Sequence, residues 1–184
     1  MKNIYLIVGE SGAGKTTVCE ELNKRYGLTS VESYTNRLPR YEGERGHIFL
    51  SPIQYPSFNE INEDFDVVAR TVFDGHCYFA TQKQVDTACV YVIDPAGIDY
   101  FRAHYHGERG IRVIYITVPS DVRIQRMQKR GASTGEIARR VYNDKVEFES
   151  VARKADCTIK NIVLDKCVET VWTYIKQEEL HEGN

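Results

Sequence analysis

The sequence is short of several features that would place a protein in a class at once. Its five cysteines form no CxxC pair and its formal net charge is only -2. No apolar run approaches the roughly 18 residues of a membrane span. These absences count against a disulfide framework, a structural zinc site, a membrane protein and a broad nucleic-acid surface. We therefore expect a cytoplasmic protein with no nucleic-acid or membrane partner.

The 184 residues, 42% hydrophobic and 27% charged, suit one globular domain without internal repeats. Strand and helix patterns alternate up to residue 33 and again from residue 88, which predicts an α/β fold with a parallel sheet. Residues 34–87 differ, because they hold three of the five prolines, many aromatics and short strand patterns. This middle stretch predicts a small, partly β lobe inserted into the main sheet.

Apolar periodicity and turn signals predict the individual elements. The predicted strands cover residues 4–8, 28–31, 47–50, 67–73, 89–93, 111–118 and 157–160. The predicted helices cover residues 16–26, 52–59, 95–106, 119–130, 134–155 and 164–178. Gly27 is expected to end the first helix, and Asp74-Gly75 to turn a hairpin.

One segment carries a specific motif. Residues 9–16, GESGAGKT, match G-x-x-x-x-G-K-[ST] between a predicted strand and a predicted helix. In such a loop the backbone N–H groups surround phosphates, Lys15 supplies a mobile charge and Thr16 offers a hydroxyl to Mg²⁺. A tight strand-to-helix turn is the alternative, but it does not account for four matched positions in this context. The motif predicts binding of a nucleoside triphosphate and Mg²⁺ by Gly9, Glu10, Ser11, Gly12, Ala13, Gly14, Lys15, Thr16 and Thr17.

A second polar segment, SYTNRLPR at residues 33–40, follows the first helix and has no apolar period. Pro39 keeps the chain out of a helix there, so Arg37 and Arg40 are expected on a loop. Arginine binds phosphate oxygens in a planar fork, and a turn at Pro39 would let the two side chains converge. The segment predicts a clamp for a phosphorylated acceptor, with a solvated surface loop as the alternative.

The phosphate loop followed by S-x-T-x-R-x-P-R resembles the guanylate kinases. Further likeness lies, in order, at residues 43–49, 74–78, 93–97, 118–131, 137–140 and 155–161. The resemblance covers nearly the whole chain and implies a P-loop NTPase three-layer sandwich with a helical lid. It implies one domain over residues 1–184, with a core at 1–33 and 88–184, a nucleoside-monophosphate lobe at about 34–87 and a lid at about 126–142.

The same resemblance implies transfer of a phosphoryl group from MgATP to a nucleoside monophosphate, with GMP or dGMP as the default acceptor. The implied catalytic residues are Lys15, Arg37, Arg130 and Arg140. The implied acceptor-binding residues are Ser33, Arg37, Arg40, His47, Tyr78 and Asp94. Asn161 would lie near the ATP base and Thr16 would bind the metal. A solvated helix face remains the alternative for the lid arginines, and both a monomer and a homodimer stay open.

The departures from the family concern the base of the acceptor. The family's guanine-reading glutamate falls at about Ala69, the following serine or threonine near Ala80, and the first of two strand acids at Val92. Only Asp94 remains of that acid pair, while His47 replaces a phosphate-side tyrosine. Loss of these groups removes the basis for strong base discrimination. The alternatives are therefore a kinase for another nucleotide or a phosphorylated sugar, or a non-catalytic binding module, against which the intact phosphate loop argues.

Overall fold

The computed structural model describes residues 1–40, 42–52, 54, 66–73, 75–149 and 151–181. The strands are β1 (Asn3–Val8), β2 (Ser33–Thr35), β3 (His47–Phe49), β4 (Val67–Phe73), β5 (His76–Thr81), β6 (Val90–Val92), β7 (Gly110–Thr117) and β8 (Cys157–Lys160). The helices are α1 (Lys15–Tyr26), α2 (Gln82–Asp86), α3 (Pro95–His104), α4 (Ser120–Lys129), α5 (Thr134–Glu147), α6 (Val151–Lys154) and α7 (Leu164–His181).

The main sheet has four parallel strands in the order β6-β1-β7-β8. All six residues of β1 are buried, because apolar clusters cover both faces of the sheet. Tyr5 and Ile7 pack with α1 and α7 on one face, while Ile4 and Leu6 pack with α3 on the other. Continuous apolar strands are what a parallel sheet covered on both sides requires. The predicted three-layer α/β fold is confirmed.

A second four-stranded sheet, in the order β3-β2-β5-β4, forms the inserted lobe. Strands β4 and β5 are an antiparallel hairpin, with Phe73 opposite His76, and β2 pairs with β5 on one side and β3 on the other. Gly75 adopts the left-handed conformation that the hairpin turn requires, and Asp74 lies outside the described residues. The expectation of a partly β lobe is confirmed.

Two predicted elements are wrong. Residues 28–31 do not form a strand, since only Ser30 makes a bridge, to Val90, before the chain leaves the main sheet for the lobe. The helix predicted over 134–155 ends at Glu147 and a short helix resumes at Val151, because Phe148 turns to stack on Tyr115. The helix predicted over 52–59 lies almost entirely outside the described residues.

The remaining boundaries agree with the sequence patterns to within two or three residues. Gly27 ends α1 in the left-handed region with φ of 70°. Pro95 opens α3, and the Asp94 carboxylate caps that helix by accepting from the Gly97 N–H at 2.8 Å. Among the described ranges, no helix has both the length and the apolar character needed to cross a membrane.

Candidate active site

The phosphate loop connects β1 to α1, as the motif predicts. Gly14 has φ of 91°, and a Cβ there would lie 2.5 Å from the Asn161 amide nitrogen. A Cβ at Gly9 would lie 2.4 Å from the carbonyl oxygen of Ile116 on β7. Glycine is therefore required at both positions, because a Cβ would clash at each, and at Gly14 also because φ is positive.

Lys15 lies inside the loop, where its ammonium group donates to the carbonyls of Gly9 and Glu10. Burial lowers the pKa of Lys15 to about 8. The charged form is disfavoured without a strong anionic partner, so a phosphate entering the loop would be attracted to this group. Thr16 follows with an exposed side chain that lines the same cleft.

Two side chains brace the loop from behind. The Arg126 guanidinium donates to the carbonyls of Ala13 at 3.3 Å and Asn161 at 2.8 Å. The Asn161 side-chain amide donates to the Ala13 carbonyl at 2.8 Å, and the residue is only 3% exposed. Within the described part of the chain, the Asn161 Oδ1 atom has no hydrogen-bond partner. Asn161, which was expected near the ATP base, thus packs against the phosphate loop, and its Oδ1 atom has no hydrogen-bond donor among the described residues.

The segment at residues 33–40 turns at Pro39, so that Arg37 and Arg40 both contact one carboxylate, Glu44. Arg37 donates to both oxygens of Glu44, at 2.8 and 3.0 Å, and to the Tyr78 hydroxyl at 3.1 Å. Arg40 donates to Glu44 through its backbone N–H at 2.6 Å and its guanidinium at 3.3 Å. Burial opposes the charge of Glu44, but these bonds hold its pKa below the ordinary value.

The two arginines therefore differ in what they can offer a ligand. Arg37 is 7% exposed, is neutralised by Glu44 and does not line the main cleft. Arg40 lines that cleft, and partial loss of hydration there, together with the nearby charges of Arg37 and Arg140, lowers its pKa. An anion in the cleft would relieve this repulsion, so Arg40 is the arginine positioned for direct contact.

His47 and Ser33 lie on adjacent strands beside Arg40. The Ser33 hydroxyl and the His47 Nδ1 atom are 2.9 Å apart. Burial, with a contribution from the charge of Arg37, lowers the pKa of His47 to about 4. The imidazole is therefore neutral at pH 7 and can offer an anion a hydrogen bond but no charge.

The far wall of the cleft is formed by the hairpin β4–β5 and the end of β6. Ala69 and Ala80 pair across the hairpin, but at 1% and 0% exposed they pack in the core and do not line the cleft. Thr71 and Asp94 both line the cleft, and burial raises the pKa of Asp94. Arg70 lines the cleft beside them. The polar groups on this wall are therefore different from those that the family resemblance supplies.

The lid arginines reach the cleft from α4 and α5. Arg130 follows α4 and is exposed, and Arg140 lies in α5, where it pairs with Glu136 at 2.7 Å. Both line the cleft, so neither lies merely on a solvated helix face. Among the described residues the Arg140 Nε atom is buried without a partner, which leaves a donor for an incoming ligand.

One cleft of about 190 Å³ brings most of the predicted site residues together. Its lining includes Gly9, Ser11, Gly12, Gly14, Lys15, Thr16, Ser33, Arg40, His47, Tyr78, Asp94, Arg130 and Arg140. The predicted residues outside that lining are Glu10, Ala13, Thr17, Arg37 and Asn161. Sequence reasoning missed Glu44, Thr71, Asp144 and Phe148. Their roles depend on contacts with distant segments, for which the local sequence carries no signal.

A phosphate loop on a parallel sheet, opposed by an arginine-lined pocket and flanked by two lid arginines, defines a P-loop phosphotransferase site. A family model described as an AAA domain matches residues 6–152. The chain belongs to that family.

Proteins similar to this chain in sequence or structure indicate what kind of P-loop protein it is. Guanylate kinase of Helicobacter pylori is 25% identical over 182 residues, which cover 95% of this chain and 86% of that protein. Shikimate kinase of Parabacteroides distasonis is 34% identical over 86 residues, covering 43% of this chain and 49% of that protein. The crystal structure of guanylate kinase from Anaplasma phagocytophilum superposes with a TM-score of 0.63 at 16% identity, covering 96% of this chain and 86% of that one. The chain is therefore a P-loop kinase that is similar to guanylate kinases over nearly its whole length.

Proposed function

We propose that the enzyme transfers the γ-phosphoryl group of MgATP to a nucleoside monophosphate, with GMP or dGMP as the first acceptor to test. The observation that carries this proposal is the single cleft lined by Lys15, Arg40, Arg130 and Arg140, which come from three separate parts of the chain. Together with Arg70, these cationic side chains around one cleft suit a reaction between two phosphorylated molecules. The inserted lobe is the proposed acceptor-binding unit and residues of about 126–142 the proposed lid.

In this proposal the acceptor's own phosphate oxygen attacks, so no side chain has to act as a nucleophile. Arg40, Ser33 and Tyr78 hold the acceptor phosphate, and Arg37 positions that set through Tyr78 and Glu44. Lys15 neutralises charge on the transferred group, as do the two lid arginines. The rate enhancement then comes from positioning, charge neutralisation and exclusion of water.

The residues present fit a magnesium ion brought with the nucleotide. The Thr16 hydroxyl is exposed at the cleft, and no group of three His, Cys, Asp or Glu side chains in the described ranges could bind a metal by itself. Mg²⁺ is usually held by one or two protein oxygens together with phosphates and water. Thr16 is its proposed ligand, and the bound ion would neutralise phosphate charge.

Asn161 is the proposed contact to the ATP base, as the family resemblance implies. In this structure it packs against Ala13 outside the cleft lining, so this contact requires its side chain to turn toward the nucleotide. Its Oδ1 atom, which lacks a partner among the described residues, would then accept from an exocyclic amino group. ATP presents such a group, whereas the corresponding position of guanine carries a carbonyl oxygen.

The test is ADP release from MgATP with a panel of acceptors: GMP, dGMP, AMP, CMP, UMP, dTMP and several sugar phosphates. Lys15→Ala is the control for contaminating kinases. Selective turnover of GMP or dGMP is expected. Turnover of another nucleotide would correct the acceptor, and no turnover with any monophosphate would refute the proposal.

A second candidate is a kinase of the same fold for a different acceptor, such as a phosphorylated sugar. The side chains that β4 presents to the cleft, Arg70, Thr71 and Phe73, include no carboxylate that could accept from a guanine ring, which favours it. So does the partial likeness to a shikimate kinase, whose name gives a non-nucleotide acceptor. Turnover of a sugar phosphate in the same panel, with GMP inactive, would establish this alternative.

A cytoplasmic location is also proposed. All five cysteines are free thiols in the structure, which suits a reducing compartment. Localisation of a tagged protein by cell fractionation tests this point.

A further inference from the structure

A buried ion pair joins the two lid helices next to the phosphate loop. Arg123 on α4 and Asp144 on α5 are 4% and 1% exposed, and their Nη1 and Oδ2 atoms are 2.7 Å apart. Neither residue belongs to the phosphate-loop motif or to the predicted lid arginines. The pair lies within the protein, and Asp144 also lines the cleft.

Both members of the pair contact Ser11, a residue in the middle of the phosphate loop. The Asp144 carboxylate accepts from the Ser11 N–H at 3.0 Å and from its hydroxyl at 3.3 Å. The Arg123 guanidinium approaches the Ser11 carbonyl at 3.5 Å. Close packing reinforces these contacts, since a Cβ at Gly12 would lie 2.7 Å from the Arg123 carbonyl oxygen. The pair therefore holds this turn of the loop through three polar contacts.

Stability alone is a poor explanation for this arrangement. A buried ion pair is often no more stabilising than an apolar pair of similar volume. Here the Arg123 Nε and Glu10 Oε2 atoms are also buried without partners in the described part of the chain, which adds a cost. A carboxylate lining a cleft built for phosphates would repel them unless a cation offset its charge, as Arg123 does.

The position of the pair points to a mechanical role. Arg130 follows α4 and Arg140 lies in α5, so Arg123 and Asp144 connect both arginine-bearing helices to the loop. Asp144 lies about one helical turn from Arg140 along α5. The contact with Ser11 thus fixes the position of the phosphate loop relative to Arg130 and Arg140, the two lid arginines.

We propose that Asp144, held by Arg123, is a positioning residue for phosphoryl transfer, which fixes Ser11 and thereby the register between the phosphate loop and the two lid arginines. This inference rests on the proposed function, since it assumes that donor phosphates occupy the loop during turnover. Asp144 acts through Ser11 and makes no contact with the reacting atoms.

The test compares Asp144→Ala, which removes both bonds to Ser11, with Asp144→Asn, whose amide oxygen can again accept the Ser11 N–H. Asp144→Ala is expected to lower kcat about 100-fold, because small misplacements of reacting groups have effects of that size. Asp144→Asn should recover about tenfold of that loss, since it restores one hydrogen bond. Lys145→Gln, an exposed charge change next in the sequence, is the matched control and should behave as wild type.

A second readout does not depend on turnover. Amide hydrogen exchange of residues 9–14 in the nucleotide-free protein should quicken in Asp144→Ala and return toward the wild-type rate in Asp144→Asn. The triple variant Glu10→Gln/Arg123→Met/Asp144→Asn removes the pair together with Glu10, the other carboxylate that Arg123 faces, at 3.8 Å. It therefore tests the contact without a buried unpaired charge even if Asp144→Ala folds poorly. It should keep the Ser11 bond, fold stably and protect the loop amides as Asp144→Asn does.

Two results would overturn the inference: equal kcat loss in Asp144→Ala and Asp144→Asn, or unchanged exchange of the loop amides in Asp144→Ala. The proposed function can fail separately, by absence of turnover with every acceptor of the panel. In that case exchange of the loop and MgATP affinity measured by calorimetry still decide whether Asp144 positions Ser11.

Discussion

The two sides of the cleft that the proposed function assigns to the donor and to the acceptor are built in different ways. The donor side is a backbone loop between a buried strand and a helix, braced by Arg126 and Asn161. The acceptor side is a set of side chains from the small sheet, such as Ser33, His47 and Tyr78, which adopt their positions through mutual contacts. In the proposed function, donor binding would therefore depend on local backbone geometry, and acceptor binding on side chains that are distant in sequence.

The difference also concerns charge. On the donor side, Lys15 contacts carbonyl groups and its pKa is lowered, so a bound phosphate would stabilise its charged form. On the acceptor side, Arg37 already has a carboxylate partner in Glu44. Loss of a donor-side group should thus mainly lower the rate of phosphoryl transfer, whereas loss of some acceptor-side groups should also lower the stability of the fold.

Lys15→Met is expected to have the largest effect on turnover and the opposite effect on stability. Loss of the mobile charge should lower kcat about 10³-fold or more. The folded-state pKa of about 8 lies below the ordinary Lys value of 10.5, so at pH 7 the charge opposes folding and its removal should raise Tm. Steady-state ADP release and thermal unfolding by circular dichroism check both effects. A lower Tm for Lys15→Met would contradict the argument from burial.

The next largest effects should separate Arg40 from Arg37. Arg40→Ala should raise the acceptor KM about 10- to 100-fold, because one charge-assisted contact to phosphate is lost. Tm and MgATP affinity should stay near wild type, since the Arg40 side chain is 44% exposed.

Arg37→Ala should lower acceptor turnover by orders of magnitude while MgATP affinity stays near wild type. It should also lower the free energy of unfolding by about 3–5 kcal/mol, because it leaves the buried Glu44 carboxylate without its main partner. Urea unfolding of both single variants and of Arg37→Met/Glu44→Gln, which should recover most of the stability, measures this difference. Equal stability of Arg37→Ala and Arg40→Ala would contradict it.

A smaller effect is expected for Asn161→Ala on the donor side. The variant loses the bond to the Ala13 carbonyl and the unpaired Oδ1 acceptor, so the KM for ATP should rise about tenfold. If Oδ1 reads the adenine amino group, the preference for ATP over GTP should fall by a similar factor. Kinetics with both donors provide the measurement, and an unchanged ATP-to-GTP ratio would remove Asn161 from base selection.

The smallest effect concerns pH and His47. Its folded-state pKa of about 4 lies below the ordinary value of 6.5, so the unfolded chain binds a proton first as the pH falls. The stability contributed by neutral His47 is therefore complete above about pH 6.5 and is lost as the pH falls toward about 4. Urea unfolding at several pH values should show a weaker slope in His47→Gln than in wild type. Identical slopes would show that His47 is not the group responsible.

The elements predicted well are those whose signal is local. Strands β4 and β8 have the predicted bounds to the residue, and the phosphate loop lies between a strand and a helix as its motif requires. The long helix over 134–155 was predicted wrongly, because it breaks where Phe148 stacks on Tyr115 of β7. A helical pattern contains no information about such a partner.

The α/β class, the phosphate loop, the inserted lobe and the segments that carry the site arginines could all be predicted from local patterns, because each depends on neighbouring residues or on a recognisable motif. The pairing of Arg37 with Glu44 and the position of Arg40 at the cleft arise only in the folded chain. Folding also brings Asp144 to Ser11, 133 positions away in the chain. The physical reason is that charge pairing and burial depend on which distant side chains meet, and that is settled by packing of the whole fold.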